Sequence, residues 1–174
     1  MGMKILIFAS VLLWMTLEES TALHIKTPHL DVNLEEIGRY SGQDSTGTRY
    51  SKSYFISRNY QSNWEDAKAI CKLFNLELAT FETLHEANSF FNLPNVIQDY
   101  VFVDGTTTVL GSPTEWYWTN KGERKIAYAL PWDRGEPNNA GIESCLTVIK
   151  HGKIGFNDLS CWTNPKYFIC QRND

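Results

Sequence analysis

The stretch EPNNAGIESC, residues 136–145, decides how this sequence is interpreted. Glu136 and Glu143 contribute carboxylates and Asn138 contributes a carboxamide, all shortly before a cysteine. Proline and asparagine are common in solvated turns, so E-P-N alone is a weak signal. The concentration of oxygen donors in one short segment nevertheless favours a cation site over a neutral turn.

A second group of oxygen donors lies in FNDLSC, residues 156–161, which adds the Asn157 amide and the Asp158 carboxylate. Calcium takes six to eight oxygen ligands at roughly 2.3–2.6 Å, and both segments carry ligands of that type. Cys145 follows the first group of donors and Cys161 follows the second, so the two cysteines could fix the separation of the groups. The sequence therefore predicts one calcium site. Its ligands are Glu136, Asn138, Glu143, Asn157 and Asp158.

Such a site has the chemistry to bind a sugar. With a backbone carbonyl from the second segment, six protein oxygens leave about two coordination positions open on calcium, which suits two adjacent hydroxyl groups. Each hydroxyl can bind the ion with a lone pair, donate its proton to a carboxylate and accept an asparagine N–H. We therefore expect the vicinal diol of a carbohydrate as the ligand.

The beginning of the chain has the features of a secretory signal peptide. A basic start is followed by an apolar run at residues 5–17, shorter than the roughly 20 residues that span a bilayer. Ser20 and Ala22 are small residues that fit cleavage after Ala22. A signal anchor is the less favoured alternative. We expect residues 1–22 to be removed and the mature protein to be secreted and extracellular.

Length and charge limit what the rest of the chain can be. We expect residues 23–51 to form an N-terminal lead-in, mobile or only partly ordered, and residues 52–174 to form one domain. The 20 acidic and 16 basic residues argue against nucleic acid or an anionic membrane as a partner. No later stretch is apolar enough for a membrane span.

The cysteines indicate two disulfides. An even number of cysteines in an exported chain is typical of a disulfide framework, and spacing alone leaves three pairings open. Zinc is less favoured because no C-x-x-C pair is present. The four cysteines are Cys71, Cys145, Cys161 and Cys170.

The order of helices and strands indicates an α+β fold. Capping-box spacings that begin at Ser62 and Thr83 predict two helices, the second over residues 84–91. Strand patterns follow, with a stop expected at Asp104-Gly105. The predicted strands include residues 53–56, 77–80, 100–103, 145–149 and 167–170, with another beginning near residue 154.

From roughly Tyr54 to Cys170 the sequence resembles the C-type lectin domain. The resemblance lies in the capped helix with its cysteine, E-P-N, E-S-C, N-D-L-S-C and the final Y-F-I-C. It implies a C-type lectin-like fold with two helices, antiparallel strands and a long calcium-binding loop region. It further implies the disulfides Cys71–Cys170 and Cys145–Cys161 and a cis peptide bond before Pro137.

The resemblance also implies that the five oxygen donors bind calcium and sugar together. E-P-N accompanies mannose-type specificity in that family, for mannose, fucose and N-acetylglucosamine. Asn139 and Ser144 stand where an auxiliary calcium site often has acids, so we expect one calcium. The short layout resembles secreted insect lectins. Expected partners are glycans of glycoproteins or microbial surfaces, as in innate immunity. Weak diol contacts favour multivalency in homo- or hetero-oligomers.

Three alternatives remain at this point. The scaffold could bind protein, or the lectin could prefer galactose. A glycosidase would need one carboxyl of Glu136 and Glu143 as a general acid, but a bound cation lowers carboxyl pKa values. We therefore expect no enzyme. The tryptophans receive structural roles: Trp116 and Trp118 in the core, Trp132 and Trp162 packed beneath the binding loops.

Overall fold

The computed structural model describes residues 22–27, 30–93, 99–120, 122–138, 143–151, 153–162 and 166–174. These residues contain two helices, α1 (Trp64–Leu73) and α2 (Leu84–Phe91). The strands are β1 (Ala22–Lys26), β2 (Asp31–Gln43), β3 (Arg49–Ser57), β4 (Glu77–Leu78), β5 (Val101–Thr106), β6 (Tyr117–Trp118), β7 (Arg124–Lys125), β8 (Cys145–His151), β9 (Lys153–Leu159) and β10 (Tyr167–Asn173). The predicted α+β class is confirmed. Neither helix has the length and apolar character needed to cross a membrane.

The last strand of the chain holds the sheet together. Strand order is β1-β2-β3-β10-β5-β6-β7, and β4 also pairs with β10. Strand β8 pairs with β5 and β9. The pairs are antiparallel except β10 with β5, which is parallel. Strand β10 therefore joins the N-terminal hairpin, which β2 and β3 form, to the strands that carry the predicted calcium ligands.

The expectation of a mobile or partly ordered lead-in at residues 23–51 is wrong. Strand β1, strand β2 and the start of β3 lie there, and β2 pairs with β3 as far as Gln43 with Arg49. Val32 and Leu34 of β2 are fully buried. Toward its tip the hairpin is polar and rich in Gly, Ser and Thr, and it lacks the apolar alternation typical of a strand. Hydrogen bonding between β2 and β3 therefore orders this part of the chain.

The helix starts follow local capping, with one correction. Asn63 caps α1, because its Oδ1 accepts a hydrogen bond from Asp66 N at 2.8 Å. The capping box predicted to begin at Ser62 is therefore wrong by one residue. Thr83 caps α2 as predicted, accepting from Glu86 N at 3.1 Å. The predicted range of α2, residues 84–91, is confirmed.

Apolar side chains of the helices and strands meet in the core. Trp64, Ala67 and Ile70 of α1 are buried, and so are Trp116 and Trp118 as predicted, each 1% exposed. Strand β5 continues to Thr106 instead of stopping at Asp104-Gly105. Gly105 has φ +127°, and a Cβ there would lie 2.4 Å from Leu146 Cδ1. Glycine thus allows the strand to pass close to β8 rather than turning away.

All four cysteines are paired, as Cys71–Cys170 and Cys145–Cys161. The pairing implied by the resemblance is confirmed. The bridged residues are 99 and 16 positions apart in the chain, respectively. The first bridge ties α1 to β10, and the second closes the end of the β8–β9 hairpin.

We expect loss of the long-range bridge to destabilise the fold more. By loop-closure entropy the Cys71→Ala/Cys170→Ala variant should lose about 4.7 kcal/mol and the Cys145→Ala/Cys161→Ala variant about 3 kcal/mol. Urea unfolding followed by tryptophan fluorescence gives both free energies. A larger loss for the Cys145–Cys161 pair would contradict the loop-length account.

Candidate functional site

The β8–β9 hairpin forms one side of the candidate site. Its register pairs Thr147 with Asn157 and Leu146 with Asp158. Thr147 Oγ1 donates to Asn157 O at 3.1 Å and fixes the strand locally. The disulfide from Cys145 closes the hairpin two residues beyond β9. Asn157 is 4% exposed and Asp158 1% exposed, so a rigid, nearly buried strand presents both residues.

A loop segment that docks on β9 forms the other side. Phe156 N donates to Pro131 O at 3.0 Å, and Asp133 N donates to Phe156 O at 2.8 Å. Glu136 N then donates to Asp133 O at 3.1 Å. A Cβ on Gly155 would lie 2.6 Å from Asp133 N, so this approach requires glycine. The segment therefore reaches the site in a fixed position.

The two sides meet at the backbone N–H of Asn138. Asn138 N donates to Glu136 Oε2 and to Asp158 Oδ1, both at 3.1 Å. Asn138 Nδ2 donates to Glu136 Oε1 at 2.9 Å. Asn157 Nδ2 donates to the backbone oxygen of Asp158. The Glu136–Pro137 peptide bond is cis, as the resemblance implies. Four of the five predicted ligand residues are thus brought together.

The two carboxylates form an electrostatically strained pair. The pKa of Glu136 is raised to about 7, chiefly by burial and further by the hydrogen bond and the negative charge of Asp158. Hydrogen bonds from Asn138 act in the opposite direction. A cation between two carboxylates favours the ionised form of both. Two facing carboxylates beside two carboxamides therefore fit a hard divalent cation such as calcium.

Glu143 is held at the start of β8. The carbonyl of the following residue, Ser144, accepts hydrogen bonds from Thr106 Oγ1 at 2.8 Å and Thr107 N at 3.1 Å. These bonds fix the backbone next to Glu143 against the end of β5. Residues 139–142, between Glu143 and the E-P-N motif, lie outside the described residues.

Tyr100 is subject to the negative charges of both Glu136 and Glu143. Burial raises the pKa of the Tyr100 phenol, and the negative charges of Glu136, Asp99, Asp133 and Glu143 add to it. Glu136 and Glu143 therefore act on the same hydroxyl, from two separate chain segments. The region carries a concentrated negative charge.

The comparisons with known proteins decide the family. A family model described as the Lectin C-type domain matches residues 60–172, most of the chain. The chain belongs to the C-type lectin domain family. The C-type lectin-like fold expected from the sequence is confirmed. Domains of this family generally bind calcium.

Individual relatives of this C-type lectin domain are distant. CD209 antigen-like protein A of Mus musculus is 26% identical over 125 residues, which cover 72% of this chain and 50% of the relative. CD209 antigen-like protein 2 of Macaca mulatta is 30% identical over 120 residues, covering 69% and 44%. The chain therefore spans about half the length of these curated relatives.

Solved structures share the fold at low identity. The C-type lectin domain of murine dendritic cell inhibitory receptor 2, in complex with N-glycan, has a TM-score of 0.55 at 22% identity. That match covers 71% of this chain and 91% of the other. The SPL-1–GlcNAc complex has a TM-score of 0.55 at 21% identity, covering 70% and 87%.

At the candidate site of this C-type lectin domain, two carboxylates lie close together. Within the described ranges, no group of three or more His, Cys, Asp and Glu side chains is arranged to hold a metal ion. The carboxylates that do meet are those of Glu136 and Asp158. Of the positions considered for an auxiliary calcium, Asn139 lies outside the described residues. The Ser144 hydroxyl lies 3.3 Å from Cys161 Sγ.

Sequence reasoning missed two neighbours of the site and misplaced one. Tyr100 and Asp133 belong to the region, although only the position of Asp133 shortly before E-P-N could have suggested it. Trp132 packs on Trp116 with ring centroids 5.3 Å apart, consistent with its predicted structural role. The predicted packing of Trp162 is wrong, because that side chain is 69% exposed.

Proposed function

We propose that this protein is a secreted, calcium-dependent lectin that binds mannose-type sugars through two adjacent hydroxyl groups. The observation that carries the proposal is the meeting of the Glu136 and Asp158 carboxylates at the Asn138 amide, beside Asn157. Two carboxylates this close repel each other unless a cation neutralises them. E-P-N, which accompanies mannose, fucose or N-acetylglucosamine binding, supports the sugar class.

One calcium ion would be held by oxygens of the predicted ligand set. When bound, calcium offers its open coordination positions to the sugar hydroxyls. The protein side chains do the rest: carboxylates accept the hydroxyl protons, and carboxamide N–H groups donate to hydroxyl oxygens. The ligand set comprises Glu136, Asn138, Glu143, Asn157 and Asp158.

The proposed role is recognition without catalysis. The C-type lectin domain structure in complex with N-glycan and the SPL-1–GlcNAc complex support glycans as partners here. We place the protein outside the cell because residues 1–22 have the pattern of a signal peptide. Recognition of glycoproteins or microbial surfaces in innate immunity, by homo- or hetero-oligomers, is the setting we propose.

Exchanging the motif tests the sugar assignment. The Glu136→Gln/Asn138→Asp variant swaps the carboxylate and carboxamide positions, so hydrogen-bond donors and acceptors around the diol change places. We expect the preference for mannose over galactose to fall by roughly tenfold or more. Competition of each monosaccharide against an immobilised mannose ligand, in calcium, measures the ratio.

A matched control makes the same chemical changes away from the site. The Glu35→Gln/Asn59→Asp variant alters exposed residues of the N-terminal region, where Asn59 Oδ1 accepts from Asn33 N at 2.8 Å. It should keep the sugar ranking of the unmodified protein. An unchanged ranking in the Glu136→Gln/Asn138→Asp variant would refute the diol arrangement.

A further inference from the structure

A cavity of about 590 Å³ lies where the N-terminal hairpin meets the start of α2. The β2 strand of this hairpin precedes the segment that matches the C-type lectin family model. The cavity is therefore built partly from chain outside the family domain, and it shares no lining residue with the predicted calcium ligands. Its volume is typical of small-ligand sites. The side chains used below are Tyr40, Gln43, Arg49, Tyr50, Thr83 and His85.

Buried contacts hold the aromatic part of this cavity in place. Tyr50 OH donates to Glu86 at 2.7 Å, and Glu86 pairs with Lys52 at 2.9 Å. The Tyr40 ring lies 5.8 Å from the Tyr50 ring and 6.0 Å from His85. A Cβ on residue 42 would lie 2.4 Å from the Tyr40 hydroxyl oxygen, so glycine makes room for the ring. The rings are pre-organised for a ligand.

The lining carries one permanent charge, that of Arg49. No carboxylate lines the cavity, and the buried Glu86 beneath it is neutralised by Lys52. Across the described part of the chain, Arg49 makes no ion pair and no side-chain hydrogen bond. Gln43 and Thr83 add neutral donors and acceptors. The cavity is thus cationic, aromatic and polar together.

Nearby carboxylates are already occupied. Arg49 also borders a neighbouring cavity of about 470 Å³. There, Glu82 pairs with Lys52 at 3.3 Å, and Asp174 pairs with Arg172 at 2.9 Å. The third carboxylate, of Asp44, accepts hydrogen bonds within its own turn. None of these carboxylates pairs with the Arg49 guanidinium, which can therefore form an ion pair with a ligand.

We propose that this cavity is a second binding site, which takes an acidic sugar unit of a glycan. A guanidinium binds carboxylate or sulfate oxygens through paired charge-assisted hydrogen bonds. Tyrosine rings offer flat apolar surface to the C–H faces of a sugar while their hydroxyls remain polar. Since no carboxylate lines the cavity, binding there does not require calcium, and it is independent of the calcium site.

Acidic oligosaccharides test the second site in the presence of a chelator. Titration calorimetry of the full secreted chain at 0.15 M salt would use tetrasaccharides of chondroitin sulfate and of hyaluronan, with chitotetraose as the neutral comparison. We expect binding of an acidic probe in EDTA and weaker or no binding of chitotetraose. Binding of both acidic probes indicates carboxylate recognition, and binding of chondroitin sulfate alone indicates sulfate recognition.

Two variants separate the cavity from general charge attraction. Arg49→Gln should weaken binding about tenfold or more. Arg58→Gln, which removes an equal charge just beyond the far end of β3, should leave it unchanged. Tyr40→Ser should also weaken it. The proposal would be overturned if neither acidic probe bound. It would also be overturned if Arg49→Gln and Arg58→Gln lost equal affinity. Neither outcome bears on calcium-dependent mannose binding.

Discussion

Replacing Asp158 with asparagine is expected to abolish calcium-dependent sugar binding while preserving the fold. The substitution is nearly isosteric, and Asn138 N can still donate to an oxygen at 3.1 Å. It removes one of the two carboxylates that meet at the site. We expect calcium affinity to fall at least about 100-fold, because even a group that only supports a metal ligand is worth roughly 10–100-fold. Titration calorimetry with calcium measures the loss.

The matched control for this change is Asp31→Asn, an exposed carboxylate on β2 that pairs with His24. It should leave calcium affinity and mannose binding unchanged. In the absence of calcium, Asp158→Asn should unfold at the same temperature as the original protein or slightly higher, since the repulsion with Glu136 is gone. Calcium binding undiminished by Asp158→Asn would refute the ligand assignment.

The second large effect concerns the buried lysine beneath the hairpin. Lys52 is 1% exposed and lies 2.9 Å from Glu86, which is itself fully buried. Lys52→Met leaves the Glu86 carboxylate without its cation, although the Tyr50 and Tyr54 hydroxyls still donate to it. Breaking one side of a buried ion pair costs about 3–5 kcal/mol. Thermal unfolding should therefore occur roughly 10 °C lower.

A second substitution distinguishes the charge from the packing. Glu86→Gln in the Lys52→Met background removes the unpaired charge and should recover part of the loss. Lys68→Met, on the surface of α1 over the Trp64 ring, is the matched control and should change stability by less than about 1 kcal/mol. A loss below about 1 kcal/mol in Lys52→Met would show that the pair contributes little.

Local signals predicted those elements whose causes lie within a few residues. The capping-box spacing that begins at Thr83 was sufficient for α2, because capping acts within the first turn of a helix. The oxygen donors of the candidate site were also visible, since calcium chemistry restricts residue types. The disulfide pairing came from the resemblance, because spacing alone left three pairings open.

Features that depend on distant partners could not be predicted. Ser62 has the residue type of an N-cap, but its backbone bonds to Lys166, so capping passes to Asn63. Glu86 has capping-box spacing, yet its carboxylate is used by Tyr50 and Tyr54 from β3. The N-terminal hairpin has little apolar alternation near its tip, and its order comes from pairing with β3 and from packing on α2.

The electrostatic interactions at the site could not be predicted from the sequence either. E-P-N and N-D-L-S-C are far apart in the chain, and only the docking of residues 131–138 on β9 places Glu136 beside Asp158. The raised pKa of Glu136 follows from that approach and from burial. Tyr100, which immediately precedes β5, is also affected by the charge of Glu136, and no sequence motif marks it.

Calcium-dependent sugar binding is tested most directly by retention of the full-length chain on immobilised mannose, fucose and galactose, with calcium and with EDTA. We expect retention on mannose or fucose in calcium, elution by EDTA, and loss of retention in Asp158→Asn. Retention on galactose alone would contradict the sugar assignment. Absence of calcium-dependent retention on all three sugars would contradict the central claim that the Glu136–Asp158 site binds sugar through calcium.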